Sequence, residues 1–409
     1  MSRVLPRLVY VGDVPVENRF HGSALLYRLL EDYPPEKLMI LEAEPHISLP
    51  ERRLPRVTYG RLPNPIKRLM STRFHQWAGS AVLFSTPFRA VDLKARTRGF
   101  APEAVLTVAH GYSWMAAAEF AKNAELPLHL IVHDDYLPTA SVFPWLSKSV
   151  EREFGHVYRR AASRLPVSPF MEEEYRKDYG AAGQVLYPSR SRNGLSAGQA
   201  PATYKRDTKK LTAGYAGNIF SPGYASLLVK LAECLKEKGG QLMLFGPHAP
   251  SQLRNWGLDL DNVLPQGLLT SDQLVSRLHA EVDFLFVPMS FEADGSQRNM
   301  RIAFPSKLTD YTATGLPLLI CGPDYCSAVR WAQQYAPVAE VVTSQEVSDI
   351  CVAVNRLDDP SHREFLGRAA RLIGDKLFGN EVGKEILYSS LLGSHSAGDL
   401  PFPIKGEPA

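Results

Sequence analysis

Ser306, Lys307 and Asp310 have the types and the spacing to hold a charged ligand, and they share one short stretch, FPSKLTDYTATGLPLLI, from Phe304 to Ile320. The stretch predicts a short helix entered through Pro305 and Ser306, closed by Gly315, and stopped by Pro317 before an apolar strand over Leu318 to Cys321. Ser306 is read as the N-cap. The first free backbone N–H groups then point out of the helix start, where partial positive charge favours a phosphate. Lys307 adds a full charge, and Asp310, three residues on, shares its helical face. A nucleotide matches this pair, with a diphosphate for the terminus and a ribose diol whose two hydroxyls can donate to one carboxylate. The competing reading is a surface helix between two strands of any α/β domain.

The elements around this stretch alternate. Leu8 to Gly12 is an apolar strand running into Asp13, followed by HGSALLYRLLEDY, with leucines at helical spacing. A second strand covers Lys37 to Glu42. AVLTVAH is a strand ending at His110, SWMAAAEFAKNAE an alanine-rich helix, and LPLHLIVHDDY a strand ending at His133 and Asp134. Strand, helix, strand is a βαβ crossover, so these are units of parallel sheets. Ligands collect at the carboxyl ends of such strands, which delivers His110 and His133 to one edge. A charged helix covers Lys148 to Ser163, Ser168 with Pro169 and Glu172 makes a good helix start, and Val185 to Pro188 reads as a further strand. After a stretch poor in apolar residues, Ser189 to Lys210, a second set begins with LTAGYAGNIF, SLLVKLAECLKEKG and QLMLFGP. A short strand ends at Gly267, Ser271 is read as capping the next helix, and strands follow over Phe284 to Pro288 and Ala339 to Val342.

The quoted residues carry a resemblance. PSKLTDYTATGLPLL resembles the PSK-hydrophobic-x-[E/D]-Y-x-A-x-G-x-P segment of GT-B glycosyltransferases, in particular those related to glycosyltransferase family 4. RLPVSPFMEEEYRKDYG resembles the strand, serine-bearing loop and helix late in the first domain of that family. The resemblance implies two Rossmann-like α/β domains facing across a cleft, with a C-terminal helix crossing back. The implied divisions are 1–188 as an acceptor-side domain, 189–210 as a linker, 211–378 as the nucleotide-sugar-binding domain, and 379–409 as the returning helix and tail.

By the same resemblance, Gly217, Asn218, Gly267, Ser290, Glu292, Pro305, Ser306 and Asp310 contact the nucleotide sugar, and the basic pair Arg298 and Arg301, just before the helix of Ser306 in the sequence, is read as able to clamp its diphosphate. His133, oriented by Asp134, serves the sugar, while Arg301 and Lys307 hold the leaving diphosphate. His21, Gly22, Ser23 and His110 line the acceptor side. The chain also departs from the pattern. Many relatives carry an arginine after the first glycine of this loop and a lysine five residues further on, where this chain has Asn218 and Gly223. Arg298, Arg301 and Lys307 are the nearest replacements in sequence. The implied reaction is glycosyl transfer from a UDP or GDP sugar to a hydroxyl of a glycan, a lipid-linked acceptor or a small molecule, with retention. No metal and no cofactor are expected. Open beside it stand a nucleotide-sugar epimerase or hydrolase, a catalytically silent protein that binds a nucleotide or a partner, and a scaffold on a lipid surface.

With 409 residues, 45% hydrophobic and 22% charged, the chain can bury a large core, and its length suggests two or three domains. A net charge of +3 is too small to imply nucleic-acid binding. No apolar run is long enough to span a bilayer, and the opening MSRVLPRLVYVGDVP reads as a first strand rather than a leader, so a cytoplasmic protein is expected. The cysteines Cys234, Cys321, Cys326 and Cys351, without CxxC spacing, are read as reduced thiols. Between Glu51 and Arg73, basic residues including Arg52, Arg53, Arg56, Lys67 and Arg68 alternate with apolar and aromatic ones. That alternation suits a face resting on anionic headgroups, as a peripheral membrane contact.

Overall fold

Strands of nearly continuous Val, Leu, Ile and Phe are buried on both faces, as parallel strands covered by helices on either side must be. The computed structural model describes residues 4–18, 21–135, 141–191, 210–219, 221–292 and 297–393. The first half runs β1 (Leu8–Gly12), α1 (His21–Leu30), β2 (Leu38–Ala43), β3 (Thr58–Leu62), α2 (His75–Phe84), α3 (Thr86–Thr97), β4 (Ala104–Val108), α4 (Ser113–Asn123), β5 (Leu128–Val132), α5 (Pro144–Arg160), β6 (Ser163–Pro166) and α6 (Pro169–Tyr179). The second half runs β7 (Thr212–Ala216), α7 (Pro222–Glu237), β8 (Gln241–Phe245), α8 (Pro250–Asn255), β9 (Val263–Gly267), α9 (Ser271–Glu281), β10 (Phe284–Pro288), α10 (Gln297–Ile302), α11 (Lys307–Ala313), β11 (Leu318–Cys321), α12 (Ser327–Gln334) and β12 (Ala339–Val342). It closes with α13 (Val347–Arg356), α14 (Pro360–Phe378) and α15 (Asn380–Leu391).

Each half carries one six-stranded parallel sheet, in the orders β3-β2-β1-β4-β5-β6 and β12-β11-β10-β7-β8-β9. Both orders reverse at their centre, between β1 and β4 and between β7 and β10. Those reversals are the switch points where the loops at the carboxyl ends of the strands diverge and leave a crevice.

The halves are joined by an aromatic hub in which the Tyr187 ring lies 5.0 Å from Phe304 and 5.3 Å from Phe378, edge to face. Helix α15 lies against α1, and its Leu387 and Leu391 belong to the same buried cluster as Leu8, Tyr10 and Leu26. Lys384 of α15 pairs with Glu31 and Asp32 of the first half.

Several local expectations change. No strand forms over Val185 to Pro188: Gln184 and Leu186 donate to Arg164 and Pro166 of β6, but Pro166 has no N–H to return. β3, which the charged sequence around it concealed, pairs in parallel with β2. Ser168 caps α6 as expected, accepting from Met171 N. α9 is capped one residue early, by Thr270 in a reciprocal box with Gln273. Cys234 and Cys351, read as thiols, are disulfide-bonded across α7 and α13, while Cys321 and Cys326 are buried and free. At a sequence separation of 117, the pair had no spacing to betray it.

Candidate active site

The carboxyl ends of β7 and β10 meet α11 at the second switch point. Gly217 ends β7 with φ of +129°, a conformation that favours glycine, and its N–H donates to Phe245 O of β8. Lys307, the first residue of α11, reaches this turn. A Cβ built on Gly217 would lie 3.7 Å from Lys307 Nζ, and the ammonium stands 4.2 Å above the centre of the Tyr215 ring. Tyr215 is held by donation from its hydroxyl to Asn218 O at 2.6 Å. Among the described residues no carboxylate lies within ion-pair distance of Lys307, and burial pushes its pKa down to about 7. An ammonium so placed gains most from an anion arriving in the crevice. Gly267, at the end of β9, belongs to the same edge: its carbonyl accepts from Gly246 N, two strands away from Gly217.

Ser306 does not cap α11. Its backbone is already helical, its hydroxyl makes no capping bond, and its carbonyl accepts from Thr309. The helical turn begins one residue earlier, where Leu308 N donates to Pro305 O. Asp310 faces the other half of the molecule, 3.8 Å from Arg28 of α1, and is 23% exposed. Ser290 and Glu292 follow β10 and pack on the start of α7. A Cβ on Gly223 would come within 2.4 Å of Ser290 Oγ and 3.2 Å of a Glu292 oxygen. Here the departure from the lysine pattern has a steric counterpart, since the space over position 223 is already filled.

In the first half, His133 directly follows β5 and His110 stands two residues beyond β4. A Cβ built on Gly22, in the first turn of α1, would lie 3.8 Å from His133 Nδ1. His133 is half-buried. Burial and then the charge of His110 push its pKa down to about 4, so the ring is neutral at neutral pH. Asp134 is exposed, yet its surroundings exclude enough water to raise its carboxyl, against the pull of His110. Ser23 is buried in α1, and the side chain of His21 lies outside the described residues.

The two arginines expected as replacement phosphate ligands are engaged elsewhere. Arg298 donates to Asp135 at 3.0 Å, Asp178 at 2.8 Å and Glu174 at 3.4 Å, and Arg301 donates to Glu174 at 2.9 Å. Burial works against the Arg298 charge, but the hydrogen bond to Asp178 and the charges of Asp135 and Asp178 outweigh it and hold the guanidinium firmly protonated. Both therefore tie α10 to the acidic face of α6 rather than clamp a ligand. The basic stretch before Arg73 is likewise half used up. Arg52 faces Glu17, Arg53 donates to Ser48 and lies over the Tyr59 ring, and Lys67 pairs with Glu44; Arg56 and Arg68 are exposed.

Residues not singled out from sequence complete the site. Asp13 accepts from Tyr112 N and Ser113 N at 2.8 and 2.6 Å and so fixes the turn that carries His110. Its place directly after Gly12 at a strand end was the available signal. Arg28 is buried and donates to Ser189 O at 2.7 Å, linking α1 to the chain that leaves the first half. Asp135, only 5% exposed, also accepts from Tyr175.

Two Rossmann-ordered sheets whose carboxyl edges face one crevice define a class of two-domain α/β proteins. Solved structures narrow that class. HepE from Anabaena, in complex with UDP and glucose, superposes with a TM-score of 0.63 at 14% identity, over 94% of this chain and 99% of that one. Sucrose-phosphate synthase from Thermosynechococcus elongatus gives 0.66 at 16% identity, over 95% and 100%. A glycosyltransferase from Rickettsia africae gives 0.66 at 12%, over 94% and 98%. The chain has the GT-B fold. No protein-family model matches the sequence, and no curated protein matches it either.

Proposed function

We propose that the protein transfers a glycosyl group from a nucleoside diphosphate sugar, UDP or GDP in the first instance, to an acceptor hydroxyl, without a metal and with retention of configuration. The observation that carries this reading is the half-buried ammonium of Lys307 over Gly217 at the switch point, which has no ion-pair partner among the described residues. Support comes also from neighbours of the same fold that hold UDP and glucose, or UDP-2-fluoro glucose. On this reading Lys307 and the main-chain N–H groups of the Gly217 to Asn218 turn receive the leaving diphosphate. Arg298 and Arg301 take no part while paired with α6. Asp310 would bind the ribose diol in exchange for its contact with Arg28, and neutral His133 would hydrogen-bond the sugar. As the bond from the anomeric carbon to the phosphate oxygen breaks, the acceptor oxygen would bond to the same face of that carbon, passing its proton to the departing phosphate. Gly22, Ser23 and His110 would border the acceptor, a glycan, a lipid-linked carrier or a small molecule.

A second reading is a catalytically silent nucleotide-binding protein. It is favoured by the Glu292 carboxylate packed at Gly223, where many relatives present a lysine. Calorimetric titration of UDP, GDP, TDP and ADP, with and without divalent metal, followed by a donor-consumption assay, separates the two. Selective binding of one diphosphate without metal, with consumption of its sugar, is the expected result. Binding without consumption selects the silent reading, and no binding removes both.

A further inference from the structure

Six large apolar side chains, Phe74, Trp77, Phe84, Phe88, Val91 and Trp145, are between 49% and 79% exposed. They are arranged, not scattered. Phe74, Trp77 and Phe84 follow one stripe along α2, and Phe88 and Val91 carry it along α3, the helical backbone continuing through Ser85. The opposite face of the same helices is the buried one, with Ala78, Val82, Ala90 and Leu93. Trp145, at the start of α5, lies beside these helices: it stacks at 6.2 Å on Phe143, whose N–H donates to the buried Ser80 Oγ of α2.

The charge bordering this surface is mostly basic. Arg68 lies in the turn packed on α2, Arg73 sits 4.9 Å over the Phe74 ring, Lys94 and Arg98 follow on α3, and Lys148 is one turn beyond Trp145. All five are exposed, and among the described residues none of them is in an ion pair. The two helices contain a single carboxylate, Asp92, which Arg96 holds at 2.6 Å.

Exposed aromatic and apolar side chains repeated along one helical stripe mark a docking surface. Aromatic rings on a helical stripe, flanked by unpaired cations, match the boundary between acyl chains and anionic headgroups. We propose that α2, α3 and the start of α5 seat this protein on an anionic lipid surface. The contact shares Arg68 and Arg73 with the basic stretch read from the sequence but is centred on α2 and α3, since Arg52, Arg53 and Lys67 face Glu17, Glu42 and Glu44, and it does not depend on the donor chemistry. It would bring the lipid close to the crevice, because Tyr112, beside His110, donates from its hydroxyl to Ser141 O against Gly79 of α2.

The test is flotation of the full chain with vesicles of phosphatidylcholine alone and of phosphatidylcholine mixed with phosphatidylglycerol. Wild type is compared with Trp77→Ser/Phe88→Ser and with Arg68→Glu/Arg73→Glu, each checked for an unchanged thermal melt. The expected result is flotation with the mixed vesicles only, weakened by salt and reduced about tenfold in each variant. Absence of flotation with mixed vesicles, or flotation equal in all three proteins, overturns the proposal. So does a wild-type dimer that both variants dissociate while vesicles are ignored, since a second copy then covers the face. Quenching of wild-type tryptophan fluorescence by brominated lipid supports the seating without any variant, and its absence overturns it.

Discussion

Lys307 Nζ stands 4.2 Å above the ring of Tyr215, two residues before Gly217, so a cation from α11 is held over the end of β7 by an aromatic face that is itself pinned to Asn218. The ring stabilises the charge without neutralising it. Lys307→Met keeps the stem on the ring and removes the charge. A charge-assisted contact of ordinary strength predicts a loss of about 10- to 100-fold in nucleoside diphosphate affinity, with no loss of stability. Calorimetry beside a thermal melt checks both, and unchanged affinity would remove Lys307 from the site.

The same group sets a pH dependence. With its pKa near 7 in the empty crevice, Lys307 is charged below that value, and affinity there is flat as far as this residue is concerned. Above it, binding must take up a proton, so affinity for a nucleotide sugar falls by about tenfold per pH unit until the pKa of the complex is reached. Titrations in buffers of different ionisation enthalpy report the proton directly. The Lys307→Met variant should lack both effects.

His133 acts on stability in the acid range. Its folded pKa, about 4, lies below its ordinary 6.5, so between these values the unfolded chain binds a proton that the native protein refuses. Stability should therefore fall as the pH drops from 6.5 towards 4, and His133→Gln should flatten that part of the profile. Urea midpoints measured across this window give the comparison; an identical slope in both proteins contradicts the burial argument.

Arg298 and Asp135 tie the halves together, and Asp135 is the more deeply buried partner. Arg298→Ala leaves that carboxylate without its cation and should cost about 3 kcal/mol by chemical denaturation. Adding Asp135→Asn should return most of the loss, because the uncompensated charge is then gone. A double variant no better than the single would show that packing, not charge, is what α10 lost.

Gly223→Lys introduces the lysine expected at this position from the sequence resemblance, yet here it should impair the protein. Its Cβ would meet Ser290 Oγ, so a drop in melting temperature is expected, with no gain in diphosphate affinity. Combining it with Ser290→Gly should recover stability.

Much of the fold could be read from local pattern. Runs such as LVYVG, LHLIV and FLFVP are apolar throughout because helices cover both faces of each sheet, and Ser168 with Pro169 announces a helix through contacts within three residues. The short, half-polar β3 and the cap at Thr270 were missed where local signals were weak or shared with a neighbour.

What the sequence determined by itself, then, is most of the order of strands and helices and the chemistry offered at their ends: Gly217, His110 and His133 after strands, and Lys307 at a helix start. Each of these is placed by its own strand or helix, a matter of near neighbours. Only the tertiary structure decided which charges remain available to a ligand. Arg298 and Arg301 look free beside Lys307 in the sequence, but their partners lie more than a hundred residues away, in α6 and at the end of β5. An ion pair depends on distance in space, and that distance is fixed by how the two halves pack around Tyr187, Phe304 and Phe378. The same packing left Lys307 over Tyr215, half-buried and, among the described residues, without a counter-charge.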